Sequence, residues 1–203
     1  LEIIGSVKGM GLNEQIYSTR YIGDKAYIVT FRRIDPFHVV DLSNSENPEL
    51  KGKLKLPGFS SYLHPLQKDR ILGVGEENGT LKAVIFDVED DEPEVLDSKV
   101  LQDYNSEVSQ NSRAFQIDRE NKVFFLPASD HAYFFNYSRG LEKEAEIEME
   151  NVQRGAYVNQ NFYIFNNYKA KAVKIDDWEV EKEVKFAEEG YDVRPLPGPV
   201  RAD

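Results

Sequence analysis

One order of short segments returns four times along this chain and restricts its fold more than any other feature. A nearly continuous apolar run comes at 26–29, 71–74, 123–126 and 162–165. A second run follows at 38–42, 84–88, 133–137 and 172–176, each with Asp or Asn near its end. Those residues, Asp41, Asp87, Asn136 and Asp176, lie 46, 49 and 40 residues apart. A charged, alternating run closes each unit, at 49–56, 94–101, 143–150 and 179–186. Alternation of this kind marks a half-exposed strand, whereas an unbroken apolar run marks one covered on both faces. The composition agrees, because 12 Phe and 11 Tyr against 2 Met suit strands better than helix bundles. The run 143–150, KEAEIEME, has the composition of a helix, but its place in the repeat assigns it to a strand.

The first unit shows the full plan. A first strand at 16–22 is followed by the turn Gly23-Asp24 and a second strand at 25–31. Asp35-Pro36 reads as the next turn, 37–42 as the third strand, and the polar cluster 43–48 leads to the outer strand 49–56. The remaining first strands are placed at 60–66, 112–118 and 152–158. Four strands every 40 to 50 residues are the mark of a β-propeller, in which each blade covers its faces against its neighbours. The expected fold is therefore all-β, with blades at 15–58, 60–102, 112–150 and 152–186. Residues 1–11 read as a stray outer strand of a preceding blade, and the Pro-rich segment 187–203 as an extended or disordered tail. The leading expectation is an open fragment of a larger propeller, with a closed four-bladed ring second. The chain also opens on Leu1, without an initiator Met or a signal peptide, as a processed or excised piece would.

The first unit carries a family pattern as well. It has Tyr17-Ser18, Arg20-Tyr21, Gly23-Asp24, Thr30-Phe31, Asp35-Pro36, Asp41-Leu42-Ser43, Asn47-Pro48, and Pro57-Gly58-Phe59-Ser60 followed by Tyr62-Leu63-His64-Pro65. Residues 15 to 90 thereby resemble the secreted β-propeller domain family of archaea and some bacteria, and the Asp-Leu-Ser to Asn-Pro turn is similar to LVIVD-type repeats. The resemblance implies a propeller at an extracellular or cell-surface location. It implies no catalytic activity.

Charge narrows the partners. A net charge of −11 disfavours a nucleic-acid backbone and an anionic membrane surface. With no cysteine, disulfides, thiolate metal sites and cysteine nucleophiles are excluded. His38, His64 and His131 lack metal-ligand spacing, and no nucleophile motif occurs. Gly73 and Gly75 form a lone GxG in a strand, which suits close blade packing better than a nucleotide. No cofactor is expected. The acidic turn 87–93 leaves calcium as an option, against the plain reading of a solvated loop.

The first strands carry Tyr17, Arg20, Tyr62, His64, Arg113, Gln116, Arg154 and Tyr157. Arg and Tyr converging near a propeller axis form a binding mouth, and the residues assigned to it are Arg20, Tyr62, His64, Arg113 and Arg154. The alternative is that they satisfy backbone groups between blades. Asp118 is the single acid on these strands, whereas a glycoside hydrolase needs a pair there. The expected function is a non-enzymatic scaffold that binds a protein or a cell-surface glycan, with a secreted hydrolase of polysaccharide or peptide as the alternative. Open blade faces would also favour self-association.

Overall fold

The computed structural model describes residues 1–31 and 35–188, with the side chain of Asp35 excepted. Most of the expected tail, 189–203, lies outside the described residues. Sixteen strands form four antiparallel four-stranded sheets. The first holds β1 (Gln15–Ile22), β2 (Lys25–Phe31), β3 (Asp35–Asp41) and β4 (Glu49–Leu56). The second holds β5 (Phe59–Pro65), β6 (Arg70–Glu77), β7 (Thr80–Asp87) and β8 (Glu94–Val100). The third holds β9 (Gln116–Asp118), β10 (Val123–Pro127), β11 (His131–Asn136) and β12 (Glu142–Glu148). The fourth holds β13 (Arg154–Val158), β14 (Asn161–Phe165), β15 (Lys169–Lys174) and β16 (Val180–Lys185). Each sheet is a meander paired in chain order.

The faces of these sheets form three cores, one between each pair of consecutive blades. Between the first two, Tyr27, Val29, Phe37 and Val39 meet Leu63, Ile71, Val84 and Phe86. Phe37 and Phe86 stack at 4.1 Å. The opposite face of the second blade, with Leu72, Val74 and Ile85, meets Phe124, Tyr133 and Phe135 of the third. Phe125 and Phe134 then meet Phe162 and Ile164 of the fourth. Two-sided burial explains why the middle strands lack a polar face. Each fully buried Phe contributes about 1.5–3 kcal/mol by leaving water. Gly155 permits the last of these contacts: a Cβ there would lie 2.2 Å from the Phe162 ring.

Two local devices repeat with the blades. In every blade the outer strand carries an extra residue against the third strand, which places the bulge at Lys51, Leu96, Glu144 and Glu181. Such a bulge raises the local twist that a radial array of sheets needs. The Asp or Asn after the third strand caps the turn with its side chain. Asp41 accepts from the Ser43 N–H at 2.8 Å, Asp87 from Glu89 at 3.0 Å and Asn136 from Ser138 at 2.9 Å. In the fourth blade this role belongs to Asp177, which accepts from Glu179 at 3.0 Å, and not to Asp176.

Three segments differ from the sequence expectation. Asp35 and Pro36 do not turn the chain but open β3, with Pro36 opposite Lys55. Proline is tolerated at a strand start, and residues 32–34 lie outside the described residues. Residues 112–118 do not form one strand. Asn111 caps a 3-10 turn at Ser112–Ala114, and only Gln116–Asp118 pairs with β10. Residues 1–10 form no strand, because none of the four sheets offers them a partner. The N-terminal segment touches the first blade at the turn between β3 and β4 and at Thr30. Gly5 abuts the Ser45 and Glu46 carbonyls, Gly11 abuts Thr30, and Glu14 accepts from the Thr30 hydroxyl at 2.6 Å.

The propeller is unclosed. Among the described residues, no packing comparable to the three cores joins the fourth blade to the first. The far face of the fourth blade presents half-buried Tyr163 and Phe165 beside exposed Val158 and Val184. Phe125, packed against Phe134 and Phe162 at 5.5 and 4.8 Å, links the third and fourth blades. Phe125→Ala is expected to destabilise the chain by about 3–5 kcal/mol, read as a lower urea midpoint.

Candidate functional site

The first strands lie at the inner edge of the sheets, where β1 and β5 run side by side and the Ser18 hydroxyl donates to the Ser60 carbonyl at 2.7 Å. Arg20 sits opposite Tyr27 in the β1–β2 ladder, so it points to the second blade. On β5, Tyr62 and His64 sit opposite Val74 and Leu72, so both point to the third blade. The Tyr62 hydroxyl and His64 Nδ1 share a hydrogen bond of 2.9 Å. The His64 ring lies 4.5 Å from that of Phe115, which enters from the connection between blades. Arg119, in the turn after β9, closes this side by donating Nη1 to the Leu66 carbonyl at 2.9 Å and Nη2 to that of Pro65 at 3.3 Å.

Burial dominates the electrostatics here. It pushes the His64 imidazole down to about 4, helped by the guanidinium groups of Arg20 and then Arg119. It raises the Tyr62 phenol to about 12, with Arg20 opposing. Tyr157 on β13 is raised by burial and by the charges of Asp118 and Tyr137. At neutral pH the group therefore consists of two guanidiniums, a neutral imidazole and protonated phenols.

Among the described residues, five shielded side-chain atoms lack a hydrogen-bond partner: Arg20 Nε, His38 Nδ1, His64 Nε2, Arg70 Nε and Tyr157 OH. Three of the five belong to the inner strands β1, β5 and β13. Unpaired shielded polar atoms are rare in folded proteins and call for an explanation.

The structure thus brings together three of the five residues assigned to the binding mouth. Arg20, Tyr62 and His64 interact, but Arg113 and Arg154 do not join them. Arg113 is exposed on the 3-10 turn, where capping by Asn111 takes it off the inner strand. Arg154 is exposed at the start of β13. The acidic turn packs against the first blade. Asp91 pairs with Lys25 at 3.1 Å, and its carbonyl occupies the space a Cβ at Gly52 would take. Among the described residues, no three His, Asp or Glu side chains have metal-binding geometry.

A second constellation was not visible in the sequence. Asp103, fully buried in the connection after β8, accepts from the Ser129 hydroxyl at 2.9 Å, the Asp130 N–H and the Tyr133 hydroxyl at 2.5 Å each, and His131 Nδ1 at 3.0 Å. Burial pushes its carboxyl up, but these hydrogen bonds, led by that of Tyr133, outweigh it and hold it below the usual range. His131 Nε2 faces Gln102 at 3.2 Å and Glu146 at 3.5 Å, and Gln102, Tyr133 and Glu146 line an open groove of about 430 Å³. The signal in the sequence is one Asp after an outer strand. Its partners come 26 to 30 residues later, so nothing local announces them.

A family model described as "Beta propeller domain" matches residues 1–178. An uncharacterised protein of Archaeoglobus fulgidus is 42% identical over 187 residues, and one of Methanocaldococcus jannaschii is 36% identical over 190. Each alignment covers 92% of this chain but 30% of the relative, so the chain spans about a third of their length. Among solved structures, AztD of Citrobacter koseri matches with TM-score 0.54 and 12% identity, over 84% of this chain and 46% of that one. The AfRom2 CNH domain matches with TM-score 0.43 and 15% identity, over 88% of this chain and 56% of that one.

Two outcomes follow from the two constellations. The unfolded chain protonates His64 near its ordinary value of 6.5, whereas the folded chain resists until about 4. Stability is thus undiminished above 6.5 and falls as pH drops from 6.5 to about 4. His64→Gln is expected to flatten that slope in thermal unfolding followed across this pH range. Asp103→Asn removes a charged acceptor and is expected to cost about 1.5–3 kcal/mol at neutral pH. Because the Asp103 carboxyl is held low, its contribution is lost as pH falls below the carboxylate range, so the variant also shows a shallower acid limb in urea titrations.

Proposed function

The chain belongs to the beta propeller domain family, and on that premise we propose that it is a non-enzymatic extracellular or cell-surface scaffold that binds a protein or a glycan. One observation carries this reading: Arg20, Tyr62 and His64 converge at the inner edge while Arg20 Nε and His64 Nε2 stay unpaired. Side chains that served only to satisfy neighbouring blades would be paired with them. The family resemblance across the first unit supports the extracellular placement.

The Asp103–His131 pair favours a second reading, a secreted hydrolase of polysaccharide or peptide. A carboxylate that holds an imidazole at Nδ1 leaves Nε2 available as a base. Against this, Nε2 faces Gln102 and Glu146, and Ser129, the nearby hydroxyl, is itself bonded to Asp103. A combined screen separates the two readings. Binding on glycan or peptide arrays that is lost in Tyr62→Ala or His64→Gln supports the scaffold. Turnover of a polysaccharide or peptide substrate that is lost in His131→Gln overturns it.

A further inference from the structure

The connections at one end of the third blade leave a small cavity that neither constellation uses. It holds about 100 Å³ and is lined by Asn105 and Glu107, from the connection after β8, and by Asn151 and Gln153, from the connection after β12. Ala128 and Val152 are its apolar lining, and both are buried. The backbone around the cavity is pinned from several sides. The N–H groups of Asn151 and Val152 donate to the Ser129 and Ala128 carbonyls, and that of Gln153 donates to the Phe165 carbonyl at 2.9 Å. The Tyr104 N–H donates at 3.3 Å to the Ser129 hydroxyl, which itself donates to Asp103. Ser106 caps the 3-10 turn that carries Glu107. The main chain is thus committed, and the side chains are not. Among the described residues, those of Asn105, Glu107, Asn151 and Gln153 make no hydrogen bond and no ion pair. Tyr104, next to Asn105 at the rim, is 66% exposed.

We propose that this cavity binds a neutral sugar residue of a glycan, with one edge of the ring seated among the amides and Tyr104 beside it. The proposal rests on the binding reading above but not on the inner edge. A sugar hydroxyl both donates and accepts, and Asn105, Asn151 and Gln153 each offer a carbonyl and an NH2 group side by side, with Glu107 as a further acceptor. Because the backbone is already fixed, little ordering cost falls on binding. Charge selects a neutral ring, since Glu107 and the nearby Asp130 repel an acidic sugar and no Lys or Arg lines the cavity. A peptide anchor calls for an apolar pocket, whereas the accessible side chains here are polar. The cavity is well below the about 300 Å³ that encloses a whole small molecule, so it holds part of one ring at an affinity of about millimolar.

The chain is titrated with the methyl glycosides of glucose, mannose, galactose and N-acetylglucosamine, with methyl glucuronide and with acetyl-triglycine amide. The side-chain amide resonances of Asn105, Asn151 and Gln153 are followed by NMR. The expected result is a saturable shift with at least one of the four neutral glycosides, and none with the glucuronide or the peptide. Tyr104→Ala and Asn151→Asp each weaken that binding by about threefold to tenfold, the loss of one contact. Asn151 has φ 50°, which aspartate also tolerates, so this variant removes the amide donors without straining the turn. No shift with any of the four glycosides, an equal shift with the glucuronide or the peptide, or unchanged affinity in both variants would each overturn the proposal. The wild-type titration needs no variant, so a misfolded substitution does not leave the question open. Array binding that depends on Tyr62 but ignores Tyr104 would sink the cavity and leave the scaffold reading intact.

Discussion

Face-to-face packing of neighbouring sheets is the interaction on which everything else in this chain depends. A four-stranded meander of about 40 residues covers only one edge of itself, and its two faces remain open until another sheet arrives. Here the middle strands of each blade are apolar on both sides, and aromatic rings bridge the gaps. Phe37 meets Phe86 between the first two blades, and Phe125 meets Phe162 between the last two. The second and third blades are covered on both faces, whereas the first and fourth each have a face without a neighbouring blade. On the first blade Gly11 and Glu14 meet Thr30 of that face, and on the fourth Tyr163 and Phe165 remain half-buried.

The same packing decides which polar groups are satisfied. Asp103 is buried where two blades meet, and four donors from the turn and strand beyond it complete its shell. Its carboxylate works as a clip, since the charge is stable only while the third blade supplies those donors. Arg20 is the converse case. It stands at the inner edge of the first blade, beside Tyr62 and His64, and finds no acceptor there. A low-dielectric setting magnifies both outcomes, strengthening a complete network and penalising an incomplete one.

Much of the fold was legible because its signals are local. Lys25–Phe31 and Glu49–Leu56 were read to the residue, since an apolar run or an alternating charged run reports burial directly. The bulges on the outer strands were invisible, because an extra residue in one strand is defined only against its partner. Residues 101–115 were also opaque. They contain neither a strand period nor a helix period, yet Leu101, Asp103, Val108, Ala114 and Phe115 are all buried between blades. Of the expected binding mouth, Arg20, Tyr62 and His64 lie near one another because β1 and β5, the strands that carry them, run side by side. Arg113, also assigned to that mouth, lies off the inner strand because capping by Asn111 makes its segment a 3-10 turn.

The sequence by itself determined the repeat, the number of blades, the turn chemistry of Asp41, Asp87 and Asn136, and the acidic surface. All of these follow from periodicity, local hydrogen bonding and summed charge, which need no knowledge of distant neighbours. Tertiary structure alone decided which faces meet, where the ring stays open, and which polar groups are paired. Asp103 with His131, and Arg20 beside His64, are separated in the chain by 28 and 44 residues, and only the stacking of blades sets them within reach. Whether a buried charge is satisfied depends on what lies across the interface, and that is a property of the assembled sheets and not of any one segment.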